Sequence, residues 1–264
     1  MAIAHIHTAH MKTALVTGAS RGIGLQLVKE LLGEGYAVVA TCRAPATSTG
    51  LQDLLHTRQR GRLLGVVPLD VSDGRSVTAA LATVTGELGL TSLDVLINNA
   101  GVATAKHPDE PVLEATAEDM QSVFTTNVVG PMLVTQTFYP LLLASSSSSS
   151  LASALPKVVN VSSRMGSISL YQDISRGGAT SASYRVSKAA LNMLTKCFAV
   201  EHADECIHIA IHPGWVQTEL GSSHGRKPPV TPEQSAKGIV SVLQGLKKDD
   251  NGSFFNFDGQ QLAW

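Results

Sequence analysis

Residues 13–24 read Thr13-Ala14-Leu15-Val16-Thr17-Gly18-Ala19-Ser20-Arg21-Gly22-Ile23-Gly24. A short apolar run comes first, a loop with three glycines follows, and apolar residues then recur at helical spacing from Leu25 to Leu32. This order predicts a buried strand, Thr13–Val16, that passes through a tight turn into a helix over Ile23–Leu32. Such a unit is typical of the start of a parallel α/β sheet.

The glycines of this loop favour a phosphate site. Glycine lets the backbone turn sharply and approach a pyrophosphate closely, while the N-terminus of the following helix supplies amide donors and a positive dipole end. Ordinary turns also use glycine, but the order of strand, loop and helix is the context that a dinucleotide site requires. The loop residues that we predict to contact the dinucleotide are Gly18, Ser20, Arg21, Gly22, Ile23 and Gly24.

The rest of the chain alternates apolar runs of strand length with longer segments of helical period. Strands are predicted at Thr13–Val16, Tyr36–Thr41, Arg62–Leu69, Leu93–Ile97, Val158–Val161, Ile207–Ile211 and Ser253–Phe257. Helices are predicted at Ile23–Leu32, Gln52–Gln59, Arg75–Glu87, Ala117–Leu143, Ser183–His202 and Thr231–Gln244. The alternation predicts one α/β domain over residues 12–264, a doubly wound, seven-stranded parallel sheet with helices on both faces. Residues 1–11 lack the features of a signal peptide and are expected to form a flexible leader.

The composition excludes several classes of protein. Charged residues make up only 16% of the chain, and 20 basic side chains face 21 acidic ones, so a nucleic-acid partner is not expected. The apolar stretch from Val123 to Ala144 is interrupted by polar residues, which argues against a membrane span. The cysteines Cys42, Cys197 and Cys206 form neither a disulfide framework nor a metal-binding pair. We therefore expect a soluble cytoplasmic protein without a bound metal.

The end of the second predicted strand favours NADP(H) over NAD(H). A NAD site places an acidic residue there to bind the ribose 2′-hydroxyl, whereas an arginine accommodates a 2′-phosphate. The segment here ends in Cys42-Arg43, and no carboxylate follows until Asp53. Arg43 and Arg21 are predicted to clamp a 2′-phosphate together. The alternative is that both are solvated surface arginines.

Tyr184 and Lys188 are four residues apart in a predicted helix, and so lie on one face, one turn apart. A free phenol, with a pKa of about 10, is a poor acid or base at neutral pH. A nearby ammonium and the positive ring of an oxidised nicotinamide are expected to lower the pKa of Tyr184. Tyr184 is thus a candidate proton donor to a carbonyl during reduction, although such a pair is usually a surface pair when it stands alone.

Further motifs stand at predicted strand ends, where open α/β sheets bind their ligands. They are Asp70-Val71, Asn98-Asn99-Ala100-Gly101, Ser162-Ser163 and His212-Pro213-Gly214-Trp215-Val216-Gln217-Thr218. With the glycine loop and the Tyr184/Lys188 pair, they resemble the short-chain dehydrogenase/reductase family over residues 12–264. The long segment after Ser163 and the C-terminal Phe257-Asp258-Gly259 and Trp264 are similar to its C-factor-like carbonyl-reductase branch.

The resemblance implies a Rossmann-type fold and roles for individual residues. The family pattern places the catalytic serine second, which selects Ser163 over Ser162; the alternative for Ser162 is a hydrogen bonder at the strand end. Asn127 is implied to join Ser163, Tyr184 and Lys188 in a proton relay, against the alternative of an exposed or backbone-bonded asparagine. The implied cofactor contacts beyond the glycine loop are Arg43, Asp70, Val71, Asn99, Ala100, Gly101, Tyr184, Lys188, Pro213, Gly214, Val216 and Thr218.

Residues and resemblance together predict an NADPH-dependent reductase of ketones or aldehydes, with the alcohol as substrate of the reverse reaction. One alternative is an NADP-binding signalling or regulatory module with incidental catalysis. Another is an epimerase or dehydratase on the same scaffold, which would consume no net NADPH. Relatives of this fold associate through long helices, and the low charge favours a covered surface, so a homodimer or homotetramer is expected.

The segment between Ser163 and Tyr184 is longer than in a usual member of the family. It contains Tyr171, Asp173, Arg176 and Gly177-Gly178. We expect it to shape the substrate mouth together with residues 219–230, and the alternative is a surface excursion without a role.

Overall fold

The computed structural model describes residues 11–104, 110–148, 155–171, 181–222 and 225–264. The predicted leader, apart from Met11, lies outside the described residues. So do residues 172–180, which make up most of the extra segment before Tyr184.

Seven parallel strands form one sheet in the order β3-β2-β1-β4-β5-β6-β7. The strands are β1 (Thr13–Val16), β2 (Ala37–Cys42), β3 (Arg62–Pro68), β4 (Val95–Asn98), β5 (Lys157–Val161), β6 (Ile207–His212) and β7 (Phe254–Asn256). Since β2 and β4 lie on opposite sides of β1, the connections leave β1 and β4 in different directions and a crevice opens at their carboxyl ends. The predicted doubly wound sheet is confirmed.

Helices cover both faces of this sheet. They are α1 (Gly22–Gly33), α2 (Thr49–Leu55), α3 (Gly74–Ala82), α4 (Ala117–Phe124), α5 (Gly130–Ser148), α6 (Ala182–Glu201) and α7 (Pro232–Gly245). Five-residue π turns extend α3 over Thr83–Glu87 and join α4 to α5 over Thr125–Val129. Short 3-10 turns lie at Pro45–Thr47, Val112–Glu114, Arg164–Gly166 and Lys248–Asp250.

The alternation of side chains along each strand divides the core into two clusters. Ala14 and Val16 of β1 point toward the face covered by α1 and α7, while Leu15 points to the face covered by α3 and α5. In β6, Ile209 lies on the α1 side, and Phe138 of α5 fills the other cluster. Both faces are apolar because helices cover both, which is the pattern expected of a parallel sheet.

The predicted long helix over Ala117–Leu143 is confirmed as one continuous helical stretch, but this stretch is not regular. The helix widens into the π turn Thr125–Val129, and this turn carries Asn127 into the interior, where its side chain bonds both backbone polar groups of Val102. A π turn holds one residue more than a regular α-helical turn, and Asn127 lies in this wider turn. The polar Asn127 is thus accommodated by a local change of the helix.

Two further predicted boundaries differ for identifiable reasons. The helix expected at Gln52–Gln59 ends at Leu55, because the next three residues are exposed and offer no apolar face. The strand expected from Leu93 begins at Val95, because the Leu93 amide donates to the carbonyl of Leu141 rather than to a neighbouring strand.

By length and composition alone, the stretch Ala117–Ser145 would be long enough to cross a membrane, with a mean hydropathy of 1.3 over its most apolar window. Within the described residues, 44% of that window is buried inside the protein. Val134, Phe138 and Leu142 belong to the core cluster beneath the sheet. That this helix does not span a membrane stays a prediction.

A buried histidine makes the fold sensitive to acid. His208 of β6 is fully buried, its ring is stacked between Phe198 and Tyr139 at 5.2 and 6.3 Å, and neither ring nitrogen has a partner within the described part of the chain. Burial, with a smaller contribution from His202, lowers the pKa of His208 from 6.5 to about 3. The folded state therefore keeps this ring neutral while the unfolded state takes up a proton as the pH falls below 6.5.

We predict that His208→Phe weakens the acid sensitivity of the fold. Between pH 6.5 and 3 the unfolded state binds one more proton at this site, so stability falls by about 1.4 kcal/mol per pH unit. From pH 7 to pH 5, the free energy of unfolding of the parent protein should drop by about 2 kcal/mol more than that of His208→Phe. Urea titrations at the two pH values measure this difference, and equal drops in the two proteins would contradict the prediction.

Candidate active site

An open groove of about 880 Å³ lies at the carboxyl ends of the strands, at the crevice beside β1. Ligand sites typically occupy roughly 300–1,000 Å³. Most predicted cofactor residues line it, namely Gly18, Ser20, Arg21, Gly22, Ile23, Gly24, Arg43, Asp70, Val71, Asn99, Ala100, Gly101 and Thr218. The groove thus collects in one place residues that are separated by up to 200 positions in the chain.

Two glycines of the loop that lines the groove have no space for a side chain. Gly18 has φ +63°, and a Cβ atom there would lie 2.8 Å from the Cα of Ala100. A Cβ on Gly24 would lie 2.3 Å from the carbonyl oxygen of Gly18 and 2.5 Å from the amide nitrogen of the Asn99 side chain. Within α1, the N-cap residue Arg21 gives no side-chain cap and the first turn has no acidic residue. The amides at this helix start are therefore available to an anion, and the residues present fit a pyrophosphate.

Thr17 fixes the loop to the end of β4. Its hydroxyl accepts from the amides of Asn99 and Ala100 at 3.0 and 3.1 Å. The Asn99 side chain in turn donates to the carbonyl oxygens of Thr17 and Gly18 at 2.9 and 3.2 Å. These bonds close the two walls of the groove on each other, so the loop is held in one conformation.

The two arginines of the groove lie beside different carboxylates. Arg43 follows β2 next to Asp70, whose pKa is lowered by hydrogen bonds from Ser72 and also by the charge of Arg43. Arg21 instead pairs with Glu219 at 2.9 Å, and both side chains are largely exposed. Both arginines line the groove, and their joint clamp on a 2′-phosphate stays a prediction.

Helix α6 places Lys188 behind Gly101 of the groove, with Tyr184 beside it, and neither side chain is among the residues that line the groove. The Lys188 ammonium lies 5.6 Å from the centre of the Tyr184 ring and donates to the carbonyl oxygen of Val161 at 2.8 Å. A Cβ on Gly101, which lines the groove, would lie 3.5 Å from the Lys188 nitrogen and 3.3 Å from the Asn127 Oδ1 atom. The groove thus ends against these two side chains.

Burial controls the charges of this pair. It raises the pKa of Tyr184 to about 12, and a hydrogen bond with Ser163 acts in the opposite direction. It lowers the pKa of Lys188 to about 8. In the protein without cofactor, desolvation of the phenolate outweighs the bond from Ser163 and the pKa of Tyr184 is raised. The lowering expected beside an oxidised nicotinamide ring stays a prediction. At neutral pH Tyr184 is a protonated phenol, and Lys188 is mostly an ammonium.

The two serines after β5 face different partners. The Ser162 hydroxyl points inward and donates to Asn192 Oδ1 at 2.5 Å. Ser163 caps the 3-10 turn Arg164–Gly166 by accepting from the Met165 amide at 3.2 Å, and it bonds Tyr184. The contact with Tyr184 is thus made by Ser163, while Ser162 is a buried hydrogen bonder at the strand end.

The side chain of Asn127 is engaged on both of its polar atoms. Its Oδ1 accepts from the Val102 amide, and its Nδ2 donates to the Val102 carbonyl at 2.8 Å and to the Ser187 hydroxyl at 3.0 Å. The side chain therefore links the end of β4 to α6 by way of the π turn. This arrangement agrees with the backbone-bonded alternative for the Asn127 side chain.

The segment after β6 contributes less to the groove than predicted. Pro213, Gly214 and Val216 do not line it among the described residues; Val216 is buried and pairs with Val230, and Gly214 takes φ +84° against the ring of Phe257. Thr218 does line the groove, as predicted. The first three residues thus support the wall that carries Thr218.

A buried carboxylate at the start of α6 was not anticipated from the sequence. Glu110 is 2% exposed, its Oε2 accepts from the Ser183 amide at 3.0 Å, and its own carbonyl accepts from the Ala182 amide. A negative charge stabilises the positive end of a helix dipole. Glu110 thus holds the first turn of the helix that carries Tyr184. The sequence pattern did not reveal this contact, because Glu110 lies about 70 residues before α6.

A family profile described as short chain dehydrogenase matches residues 12–228. The chain belongs to the short-chain dehydrogenase family. An uncharacterized oxidoreductase of Schizosaccharomyces pombe is 34% identical over 96% of this chain and 98% of its own. C-signal of Myxococcus xanthus is 38% identical over a stretch that covers 65% of this chain and 93% of that protein.

Solved structures of carbonyl reductases superpose on this short-chain dehydrogenase. The NADPH-bound carbonyl reductase from chicken fatty liver has a TM-score of 0.83 and 38% identity, covering 96% of this chain and 99% of that one. Carbonyl reductase Sniffer of D. melanogaster has a TM-score of 0.84 and 30% identity, covering 97% and 100%. The predicted family and its fold are confirmed, and the chain is an oxidoreductase of that family.

Proposed function

We propose that this short-chain dehydrogenase reduces ketones or aldehydes with NADPH, and oxidises the corresponding alcohols in reverse. The observation that carries the proposal is the meeting of Tyr184, Ser163 and Lys188 in one cluster, in which Lys188 lies beside Gly101 of the groove. A carbonyl at this cluster would meet a proton donor and a hydroxyl at once. The carbonyl-reductase neighbours support the same substrate class.

The groove is suited to NADP(H). The backbone loop Gly18–Gly24 would hold the pyrophosphate, Arg43 the 2′-phosphate, and Asp70 and Val71 the adenine end. Asn99, Ala100, Gly101 and Thr218 form the remaining walls. NADPH supplies the hydride when it is bound. The NADPH-bound neighbour supports this choice of dinucleotide.

Tyr184 would donate the proton to the carbonyl oxygen. Its raised pKa keeps the phenol protonated at neutral pH, so the proton is present for reduction. Efficient transfer requires this pKa to be lowered toward neutrality, which the positive charges of Lys188 and of the oxidised nicotinamide ring would do. The Lys188 ammonium beside the ring would stabilise the phenolate that remains after the proton leaves. Ser163 would orient the carbonyl oxygen by a second hydrogen bond.

Asn127 would support the proton relay by position. Because its side chain is engaged with Val102 and Ser187, its contribution is to hold the π turn against α6 beside Lys188. We propose that these four residues, Asn127, Ser163, Tyr184 and Lys188, form the catalytic set.

The proposal is tested by following NADPH absorbance with a panel of ketones and aldehydes. A carbonyl-dependent loss of absorbance with formation of the alcohol is expected. If the protein binds NADPH but no carbonyl in the panel oxidises it, the reductase proposal fails. An epimerase or dehydratase would convert its substrate without net loss of NADPH.

The similarity to C-signal favours one other candidate, an NADP-binding signalling module with incidental catalysis. The same assay separates the two, since such a module would bind NADPH with slow or absent turnover. The pairing of Tyr184 with Ser163 and its closeness to Lys188 support an enzyme.

Arg43 gives a prediction for cofactor choice. Arg43→Ala removes a charge-assisted contact with the 2′-phosphate, of a kind worth about 1.5–3 kcal/mol, so kcat/KM for NADPH should fall about 10- to 100-fold. The value for NADH should change little. Steady-state kinetics with both cofactors measure the ratio, and Arg58→Ala, which removes an exposed arginine outside the groove, is the matched control. Equal losses for both cofactors would contradict the role of Arg43.

We also propose a homodimer or homotetramer, with residues 12–264 as one domain in the cytoplasm. On α6, the apolar side chains Val186, Met193 and Val200 follow at seven-residue spacing and are 49%, 65% and 75% exposed. Such a row on one helix face, in a chain with few charges, favours burial against another copy. Sedimentation as a 27.7 kDa monomer would contradict it. A small-molecule substrate, without nucleic acid or membrane, remains the predicted partner.

A further inference from the structure

Asn192 continues the face of α6 that carries Tyr184 and Lys188. The three residues follow at four-residue spacing and so lie one above the other along the helix. The proposed mechanism uses the first two and leaves Asn192 without a role, although its amide side chain is only 4% exposed. A buried amide requires hydrogen-bond partners, and the partners of Asn192 belong to the segment that carries Ser163.

The Asn192 side chain joins both ends of the turn from Ser162 to Gly166. Its Oδ1 accepts from the Ser162 hydroxyl at 2.5 Å, and its Nδ2 donates to the Gly166 carbonyl at 3.3 Å. Ser163 lies inside this turn, directly after one anchor point. A single side chain of α6 therefore fixes the turn at two places.

Backbone packing sets the distance between the turn and the helix. A Cβ on Gly166 would lie 2.6 Å from the carbonyl carbon of Lys188 and 2.8 Å from the amide nitrogen of Ala189. The turn therefore rests directly on the backbone of α6. This packing sets how closely the turn approaches the helix. The two Asn192 bonds, together with the longer bond from the Ser162 hydroxyl to the Lys188 carbonyl at 3.4 Å, oppose sliding of the turn along α6.

We propose that Asn192 is a positioning residue that holds Ser163 in register with Tyr184 for the transfer of a proton to the carbonyl. It does so through Ser162 and Gly166 and contacts neither substrate nor cofactor. The inference rests on the proposed reductase function.

The loss of Asn192 has a definite structural consequence. The Gly166 carbonyl would lose its bond from the Asn192 amide, and the Ser162 hydroxyl would keep only its long bond to the Lys188 carbonyl at 3.4 Å. A movement of the turn would restore better partners to both groups. Ser163 moves with the turn, whereas Tyr184 stays on the helix. A misplacement of about 1 Å between reacting groups can reduce a rate about 100-fold.

The test is Asn192→Leu, which keeps the branched shape of the side chain and removes both hydrogen bonds. We expect kcat for carbonyl reduction to fall about 10- to 100-fold, while the dissociation constant for NADPH, measured by fluorescence, stays within about twofold of the parent value because the groove is built by other elements. A second readout is the pH profile of kcat. Because the bond from Ser163 lowers the pKa of Tyr184, weakening it should move the basic limb of the profile to higher pH.

Two companion variants separate positioning from general stability. Thr195→Val removes a buried hydroxyl from the same helix, one that accepts from Asn160 at 2.9 Å and donates to the Leu191 carbonyl at 2.8 Å, both outside the turn. It should lower Tm while leaving kcat and the pH profile unchanged. Ser162→Ala removes one partner of Asn192, so its effect on kcat should be smaller than that of Asn192→Leu and should not add to it in the double variant.

The outcomes are distinct. If the parent protein reduces no carbonyl, the proposed function fails. If the parent is active and Asn192→Leu keeps its kcat and pH profile, or if Thr195→Val at equal loss of Tm shows the same kinetic defect, the positioning role of Asn192 is overturned. Full additivity of Ser162→Ala and Asn192→Leu would also overturn it.

Discussion

Tyr184→Phe should lose about 1,000-fold in kcat for NADPH-dependent carbonyl reduction, within the range that positioned acid–base groups contribute. The substitution removes only the hydroxyl and keeps the ring that Lys188 approaches at 5.6 Å. The partly buried phenol, with a pKa of about 12, is the protonated group that bonds Ser163 beside Lys188. Single-turnover absorbance of NADPH with a saturating carbonyl measures the loss.

The control for this variant is Tyr139→Phe. Tyr139 bonds Glu205 through its hydroxyl at 3.1 Å. Its ring stacks on His208 near the N-terminal end of β6, whereas the groove lies at the carboxyl ends of the strands. It should keep the parent kcat, and both variants should bind NADPH. A Tyr184→Phe enzyme with full activity would show that another group donates the proton.

The parts of the fold that the sequence predicts are those set by short-range patterns. The alternation of apolar runs and helical periods located all seven strands, because a parallel sheet covered on both faces is apolar throughout and glycine and polar loops mark its ends. The glycine loop could be recognised since its three glycines stand between a strand and a helix. The packing requirement at Gly24 and the positive φ of Gly18 now give the physical reason for two of them.

The parts that the sequence does not predict depend on contacts between distant residues. The π turn at Asn127 has the same apolar pattern as a regular helix, and only its bonds to Val102 reveal it. The direction of the Tyr184 pKa depends on how far α6 is covered, which no local pattern states. Asn192 did carry a signal, its four-residue spacing from Lys188, but the partners of its amide become visible only when the turn after β5 is in place.

The glycine loop carries the second large expected effect. Gly24→Ala places a methyl group 2.3 Å from the Gly18 carbonyl oxygen and 2.5 Å from the Asn99 side chain. Neither neighbour moves freely, because the same Asn99 amide donates to the Gly18 carbonyl. The loop must shift away from α1, and the amides at the helix start then no longer point toward the pyrophosphate.

We therefore expect Gly24→Ala to weaken NADPH binding about 100-fold or more and to destabilise the fold by about 1–3 kcal/mol, as overpacking does. The matched control is Gly33→Ala in the same helix, where a Cβ meets nothing within 4 Å and an alanine should leave binding unchanged and stability equal or up to about 1 kcal/mol higher. Fluorescence titration with NADPH and thermal unfolding measure both effects. Because both variants add one methyl group to α1, a loss of binding confined to Gly24→Ala assigns the defect to the loop, whereas similar losses in both would contradict a phosphate site at this helix start.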